Sequence, residues 1–449
     1  MACRSFALRR ALPLLLLAGC LSVPAYHADD QVEPDAPPGD GGGGGDAGGS
    51  GVVMISVVSR DGFATTVPNA RVIVRDESSQ TDGDVQFTDA RGELMVSIAH
   101  RSTIFVATPS AAESPQLVAI EGVEAGDTLE IGAALTTPTP IGQIMGGLGA
   151  AASTSDEVYL YTPCGYGELA ASTDISPVVT VAIDSRCAGR TSVPALVWDE
   201  SNANDVRQWS AGSFSPSNFS ITLASPTAGA PLTLTYAAGA QPVSEIIGGV
   251  RAIIFGEHVG LLPIDAVDHA SIFVGSPGNT IEVESYVTYD DSTIGVTAIR
   301  ERVTFAGTYT VNLAEASLPP YVDNAPMVDL TGALSWQEDA AEGQVEPTLV
   351  VADFATTAGG VRWIAPAGAR FASSATPQLS LAPPGPFASF TVADAFASSV
   401  QLVLLDGATY ATARGVADPS TSIGIEPDFG ALGDRMVITG LSGVPEVVP

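Results

Sequence analysis

The side chains best suited to nucleophilic or metal chemistry in these 449 residues are four histidines and four cysteines. His27, His100, His258 and His269 stand at no spacing of the His-x-His or His-x-x-x-His kind that puts two imidazoles on one metal. Cys164 and Cys187 form an even pair in the body of the chain and read as a disulfide. Such a bridge closes a loop of about 24 residues and stabilises by on the order of 3 kcal/mol in the chain-entropy model. Two free thiols or half a metal site are the other readings of the pair. All 18 basic residues are Arg, so the lysines of a Walker loop, a Schiff base or a kinase are missing. There is no Gly-x-Ser-x-Gly elbow; Gly440-Leu441-Ser442-Gly443 lacks the second spacer. Gly147 to Ala152 follows the dinucleotide fingerprint loosely and has no helix after it. With 50 acids in the chain, a carboxylate pair of the glycosidase kind arises by chance. Asp82, Asp84, Asp89 and Glu93 surround a turn and carry hard oxygen donors for calcium, but the EF-hand pattern is absent and a polar hairpin is the favoured reading. Trp198 and Trp209 flank a polar stretch and have the composition of a sugar-stacking site, or of core-edge tryptophans. Asp290-Asp291 reads as a turn after a strand.

The formal net charge is -32. Such a surface repels nucleic acid and anionic lipid, and neither is expected as a partner. Catalytic residues and cofactors are expected to be none, and metals none beyond the calcium reading above. Past the N-terminus no apolar run approaches the roughly 20 residues that span a bilayer; the stretch Ile246–Leu262 is interrupted by Arg251, Glu257 and His258.

The elements that must position these residues have period two. Leu94, Val96 and Ile98 alternate with Met95, Ser97 and Ala99, and Val72 and Val74 with Arg71, Ile73 and Arg75. Leu232, Leu234 and Tyr236, then Tyr309, Val311 and Leu313, then Val400, Leu402 and Leu404 continue the pattern, as do Phe219, Ile221 and Leu223. Alternation of this kind predicts strands with one buried face. Short strands between Gly, Pro, Asp and Asn clusters predict an all-β chain of several β-sandwich modules. Residues 21–50, with Asp29, Asp30, Glu33, Asp35, Asp40 and the run Gly41–Gly45, predict a disordered acidic Gly/Pro-rich tether.

Arg4, Arg9 and Arg10 precede an apolar run that ends in Leu17-Ala18-Gly19-Cys20. This stretch resembles the lipobox of bacterial lipoproteins. The resemblance implies cleavage before Cys20, lipid (palmitate included) on that residue, and attachment to a membrane. Leu21, where an inner-membrane retention signal places Asp, points to the outer membrane. Further on, Val67-Pro68-Asn69-Ala70-Arg71-Val72, Thr88-Asp89-Ala90-Arg91-Gly92-Glu93-Leu94 and Gly126-Asp127-Thr128-Leu129 resemble the turns of the carboxypeptidase regulatory-like domain, a small transthyretin-like β-sandwich. The family usually has Gly where Asn69 stands, and Asn also tolerates positive φ. The resemblance implies a non-catalytic accessory fold. Trp336 and Trp363 on facing strands resemble an immunoglobulin- or fibronectin-like core near 323–395.

The organisation expected is a signal peptide over 1–19, a lipidated linker over 20–50, a carboxypeptidase regulatory-like sandwich over 51–135, a disulfide-bearing β unit over 136–240, a β unit over 241–322 and an immunoglobulin-like unit over 323–449. One large domain over 136–449 is the competing picture. The function expected is a cell-envelope lipoprotein that binds, adheres or scaffolds without catalysis, its partner an envelope protein or polysaccharide. A carboxylate-based hydrolase and a structural spacer are the alternatives. Cys20→Ser is expected to abolish metabolic lipid labelling and release the protein from membranes; a variant that stays membrane-bound overturns the lipobox reading.

Overall fold

The computed structural model describes residues 50–448, apart from 60–65, 109–114, 134–138, 148–156, 170–177, 201–205, 216–226, 273–279, 415–433 and shorter gaps; for 252–279 it describes backbone only. The chain is all-β, as its periodicity predicts. Among the described residues the α-helix is the five-residue turn Tyr410–Arg414.

Gly51–Ser59 pairs antiparallel with Glu93–Ile98 and parallel with Thr128–Ala133. Val53, Ile55, Val57, Val96, Ile98, Leu129 and Ile131 point from these strands into one core. Met95, of the opposite parity, is 70% exposed. The turns that set this register match the sequence reading. Asn69 takes φ 62°. Asp89 Oδ1 accepts from the backbone N–H groups of Arg91 (2.7 Å) and Glu93 (3.0 Å). Gly92 sits at φ 72°, where a Cβ would lie 2.5 Å from the Val57 carbonyl oxygen.

The opposing layer is a sheet of 13 strands. From one edge it runs Glu257–Asp265, Val243–Ile254, Thr280–Tyr289, Val296–Thr304, Arg435–Gly443, Ala397–Leu405, Leu349–Thr356 and Gly359–Pro366. It continues through Gln116–Val123, Ser102–Ala107 and Arg71–Asp76, which pairs with both Thr81–Asp82 and Gln86–Phe87. Strands from residues 51–135, 241–322 and 323–449 thus share one sheet. Its central strands are apolar on both faces. Leu349, Val351, Ile364, Val403 and Leu405 face the N-terminal three-stranded sheet. Val350, Ala352, Phe354, Trp363 and Leu402 face Val328, Leu334 and Trp336 of a smaller sheet, with Phe387 and Phe390 of the turn Gly385–Phe390. The two tryptophans therefore occupy one core. The second covered face also explains Ile73: its neighbours Arg71 and Arg75 place it on a polar side by alternation, yet it is fully buried. A strand buried on both faces reads as a near-continuous apolar run.

The disulfide unit packs on the far end of this sheet. Glu157–Thr162, Gly165–Leu169, Val193–Glu200, Val206–Phe214 and Thr227–Ala228 form its five-stranded sheet. One face covers the pair Pro140–Gly147 and Val178–Asp184, around Cys164 and Cys187. On the other, Leu196, Trp198, Val206 and Trp209 meet Val250, Ile281 and Val283 of the long sheet and Leu232 and Leu234 of Ala230–Ala237. All eight residues of Val193–Glu200 are buried as a result.

The join between the N- and C-terminal parts is the parallel pairing of Gln116–Val123 with Gly359–Pro366. Gly359 has φ 140°, and a Cβ there would stand 1.9 Å from the Pro115 carbonyl oxygen. Side chains reinforce the join. Trp363 Nε1 donates to Glu121 Oε1 (2.6 Å), and the Tyr410 hydroxyl donates to the Glu121 carbonyl oxygen (2.6 Å). Arg414 pairs with Asp127. Burial pushes the Glu121 carboxyl up from the ordinary 4.5 to about 7, against the Trp363 hydrogen bond and with help from Glu77. The folded chain therefore holds a proton on Glu121 that the unfolded chain has released. That contribution is present at low pH and is lost as pH rises through about 7.

Two outcomes follow from this join. Glu121→Gln, which keeps an acceptor for Trp363, is expected to flatten the fall of stability between pH 5 and 8 and to raise the urea midpoint at pH 8. An unchanged pH profile would refute the assignment. Gly359→Ala is expected to lose about 2–3 kcal/mol in urea denaturation through strain at positive φ and the clash with Pro115. A loss of only a few tenths would mean that the close approach does not constrain the fold.

Candidate functional site

Most of the residues that sequence reasoning singled out sit in structural bonds. Cys20 and the stretch Leu17–Cys20 lie outside the described residues, as does His27. Cys164 and Cys187 form a disulfide at the heart of their core. Asp82 is held by Arg75, with Nε–Oδ1 at 2.6 Å and NH2–Oδ2 at 3.2 Å. Asp89 caps its own turn, while Asp84 and Glu93 are exposed. Among the described residues no cluster of three His, Cys, Asp or Glu could hold a metal ion. Asp291 Oδ1 accepts from the Thr293 N–H (3.0 Å) and hydroxyl (2.7 Å), closing the turn after Thr280–Tyr289.

One set has the residue types of a catalytic triad without its wiring. His100 Nδ1 lies 2.8 Å from Asp76 Oδ2, and the Ser78 hydroxyl donates to Asp76 Oδ1 at 2.5 Å. The serine hydroxyl donates its hydrogen bond to the carboxylate and not to the imidazole, so the serine–histidine link of a triad is not formed. Ser78 first, then His100, holds the Asp76 carboxyl far below the usual range.

The long sheet carries a ladder of buried charge. Register sets Arg251 across from Glu282, Arg302 across from Glu282, and Arg300 across from Glu284. Arg251 reaches Glu284 at 2.9 Å, and Arg300 reaches Glu284 at 3.0 Å and Glu282 at 3.5 Å. Tyr286 donates to Glu284. Burial works to raise Glu284, but Arg300 and Arg251 outweigh it and hold the carboxyl near 2. Burial wins at Glu282, whose carboxyl is raised. Sequence reading treated Arg251 as a break in an apolar run. The signal it passed over is period-two charge in Glu282-Val283-Glu284 and Arg300-Glu301-Arg302.

The aromatic groups of the disulfide unit make a different arrangement. Trp198 and Trp209 are register partners, 1% and 9% exposed, and both face the core. The Trp198 ring stacks on Tyr159 (centroids 5.3 Å, planes 19° apart) and on Tyr161 (4.8 Å, 15°). Tyr161 stacks in turn on Tyr166 (5.2 Å, 20°), which is 60% exposed. The stack thus runs from a buried indole to an open phenol. Its outer end exists because of Gly165 and Gly167. A Cβ on Gly165 would lie 2.3 Å from the Ala182 carbonyl oxygen, and one on Gly167 2.7 Å from Val181 Cγ2. The bare side of Gly-Tyr-Gly packs on Val178–Asp184, and alternation turns Tyr166 to the opposite face.

Carboxylates edge this stack. Register places Glu168 across from Tyr159, and Glu157 across from Glu200. The Tyr159 hydroxyl donates to Glu157 Oε2 (2.8 Å), and Trp198 Nε1 donates to Glu200 Oε2 (2.8 Å). Burial, with Glu157 and Glu168 adding to it, raises the Glu200 carboxyl against the Trp198 bond. Burial also pushes the Tyr161 phenol up to about 12. Stacked rings beside acceptors can hold a flat or cationic group. Sequence reading left the two tryptophans as a sugar-stacking site or core-edge residues, and did not name Tyr159, Tyr161 and Tyr166; the alternation Tyr159-Leu160-Tyr161 and the glycines around Tyr166 were the available signal.

No family model and no curated protein matches the chain. Among solved structures it is similar to the Bacillus anthracis TIE protein, at 10% identity and TM-score 0.16, over 59% of this chain and 50% of that one. It is also similar to BcpA, the major pilin subunit of Bacillus cereus, at 10% identity and TM-score 0.15, over 59% of this chain and 99% of that one. A third is the pilus adhesin SpaC from Lactobacillus rhamnosus GG, at 7% identity and TM-score 0.12, over 71% and 42%. The chain spans half the length of the TIE protein. At such scores these likenesses carry no argument about function.

Proposed function

We propose that this chain is a non-catalytic binding protein of the bacterial cell envelope. Lipid on Cys20 holds it to the outer membrane, residues 21–50 act as tether, and the β-rich body meets a partner protein or polysaccharide. The observation that carries the binding reading is the aromatic stack that ends in the exposed Tyr166 beside Glu168. A ring left open on a sheet face, backed by a rigid stack, is what recognition by stacking requires. The disulfide fits an exported protein. The turns at Asn69, Asp89 and Gly92 fit a carboxypeptidase regulatory-like fold for 51–135, an accessory module rather than an enzyme. Trp198 serves this reading as the base of the stack, with Trp209 beside it as its register partner.

One observation favours a second reading. Glu157 and Glu200 are register partners, and Glu200 is raised, the pairing a carboxylate hydrolase uses for acid and base. In that reading Glu200→Gln abolishes hydrolysis of a glycoside.

The test is protease shaving of intact cells followed by glycan and matrix-protein arrays with the released-form protein. Cleavage without lysis is expected, together with array binding that Tyr166→Ala removes. Protection of the body until the outer membrane is permeabilised would move the partner to the periplasm. Array binding indifferent to Tyr166→Ala would refute the assigned surface.

A further inference from the structure

We propose that the open edge of Pro140–Gly147 is a self-association site, where a second copy of this chain adds its own Pro140–Gly147 antiparallel, with Gln143 on the two-fold axis. The site stands independently of the binding surface at Tyr166.

Pro140–Gly147 is an edge strand. Among the described residues it pairs with Val178–Asp184 and with no other strand. The far edge of Val178–Asp184 is closed. A Cβ on Gly165 would lie 2.3 Å from the Ala182 carbonyl oxygen, and one on Gly167 3.0 Å from that of Thr180. The Asp184 N–H donates to the Cys164 carbonyl oxygen. Thr180, Ala182 and Asp184 share one parity, so their backbone polar groups turn toward the hairpin that carries Gly165 and Gly167. In an antiparallel ladder, a residue whose polar groups turn away from the neighbouring strand stands in a non-hydrogen-bonded pair, and those of the residue opposite turn outward as well. Thr180 stands across from Met145, and Ala182 across from Gln143. The N–H and C=O groups of Gln143 and Met145 therefore aim at the open edge, where an added strand finds its hydrogen bonds.

The side chains select the occupant. Ile141, Met145 and Val178 are 40%, 47% and 54% exposed on the outer face of this pair of strands. Residues 140–147 carry no charge, and 178–184 carry Asp184 alone. Other edges are guarded: Glu93–Ile98 carries Glu93, and Glu257–Asp265 carries Glu257 and Asp265. Charges of this kind keep a further strand from adding. At a net charge of -32 a second copy is repelled by acidic surface and meets no like charge at this edge. A basic partner would be drawn to the acids instead. The edge is also self-complementary. With Gln143 opposite Gln143 of the second copy, Met145 falls opposite Ile141 of that copy, and Ile141 opposite its Met145. Two apolar pairs then flank an amide pair that can hydrogen-bond across the axis. Such a two-fold contact uses both open edges at once and closes as a dimer rather than growing into a fibre.

The experiment is sedimentation equilibrium of the full chain, with non-reducing electrophoresis of its Gln143→Cys variant. A monomer–dimer equilibrium is expected, together with a disulfide-linked dimer in Gln143→Cys that the parent chain lacks. Opposed residues of a hydrogen-bonded antiparallel pair stand about 5.5 Å apart between Cα atoms, within disulfide reach. Gln143→Glu and Gln143→Lys each set like charges opposite one another and are expected to weaken the dimer by about fivefold. An equimolar mixture of the two is expected to recover it, as a Glu–Lys pair across the axis. Gln143 is exposed, so melting temperatures measured in dilute solution are expected to match the parent. A chain that stays monomeric up to millimolar concentration overturns the proposal. A dimer that neither charge variant weakens, or that the mixture fails to recover, puts the two-fold axis elsewhere and overturns it too.

Discussion

The union of the N- and C-terminal parts in one sheet depends on one backbone approach, that of Gly359 to Pro115. It lets Gly359–Pro366 lie parallel to Gln116–Val123, and that pairing fuses segments more than 200 residues apart into one sheet. A Cβ would block it, so a residue without one stands there despite the entropy it loses on folding. Parallel pairing between such distant segments carries a large loop-closure cost and gains nothing until both strands are in place. What offsets it is burial on both faces: Ile364 and Ile120 on one side, Trp363 and Ala119 on the other, all nearly inaccessible. The Glu121 carboxyl sits at this join as the acceptor for the N–H of Trp363 on the neighbouring strand, so that the buried indole is not left without a partner.

Arginine organises the polar interior. In an acidic chain with no lysine, the buried Arg251, Arg362, Arg370 and Arg414 each pair with a carboxylate, and Arg370 and Arg414 also lie over a ring. Such pairs lose hydration on burial, so their net stabilisation is small, but breaking one leaves a charge stranded. Their effect is on register. The Arg251, Glu282, Glu284 and Arg300 ladder opposes a one-residue slip among three strands, because such a shift turns the charges of the slipped strand to the other face.

Local patterning was legible in the sequence where one face meets water. Val96 and Ile98 are buried and Met95 is exposed, as alternation requires, and Asn69 turns the chain at positive φ. Legibility ended where a strand is covered twice. Nothing in Arg71-Val72-Ile73 signals that both its neighbouring layers are apolar, since that depends on segments hundreds of residues away. The aromatic stack was legible only in part, for a related reason. Tryptophan is the better stacking surface, so composition pointed to Trp198 and Trp209, but large apolar area also makes an indole the residue that a sheet interface recruits. The smaller phenols were left at the open end.

The disulfide unit makes that open end a rigid one. Cys164 lies between Glu157–Thr162 and Gly165–Leu169, at the turn of the hairpin that carries Tyr161 and Tyr166. Thr162 tightens the same turn, its hydroxyl donating to the Gly165 carbonyl oxygen at 2.8 Å. Gly165 and Gly167 seat the strand against Val181 and Ala182. An exposed tyrosine on a free hairpin would lose rotamer and backbone freedom on gripping a ligand. Here covalent closure, close strand packing and the stack on Tyr161 have removed that freedom during folding. In the binding reading proposed for Tyr166, a ligand would therefore order little of the protein, and more of its interaction energy would appear as affinity.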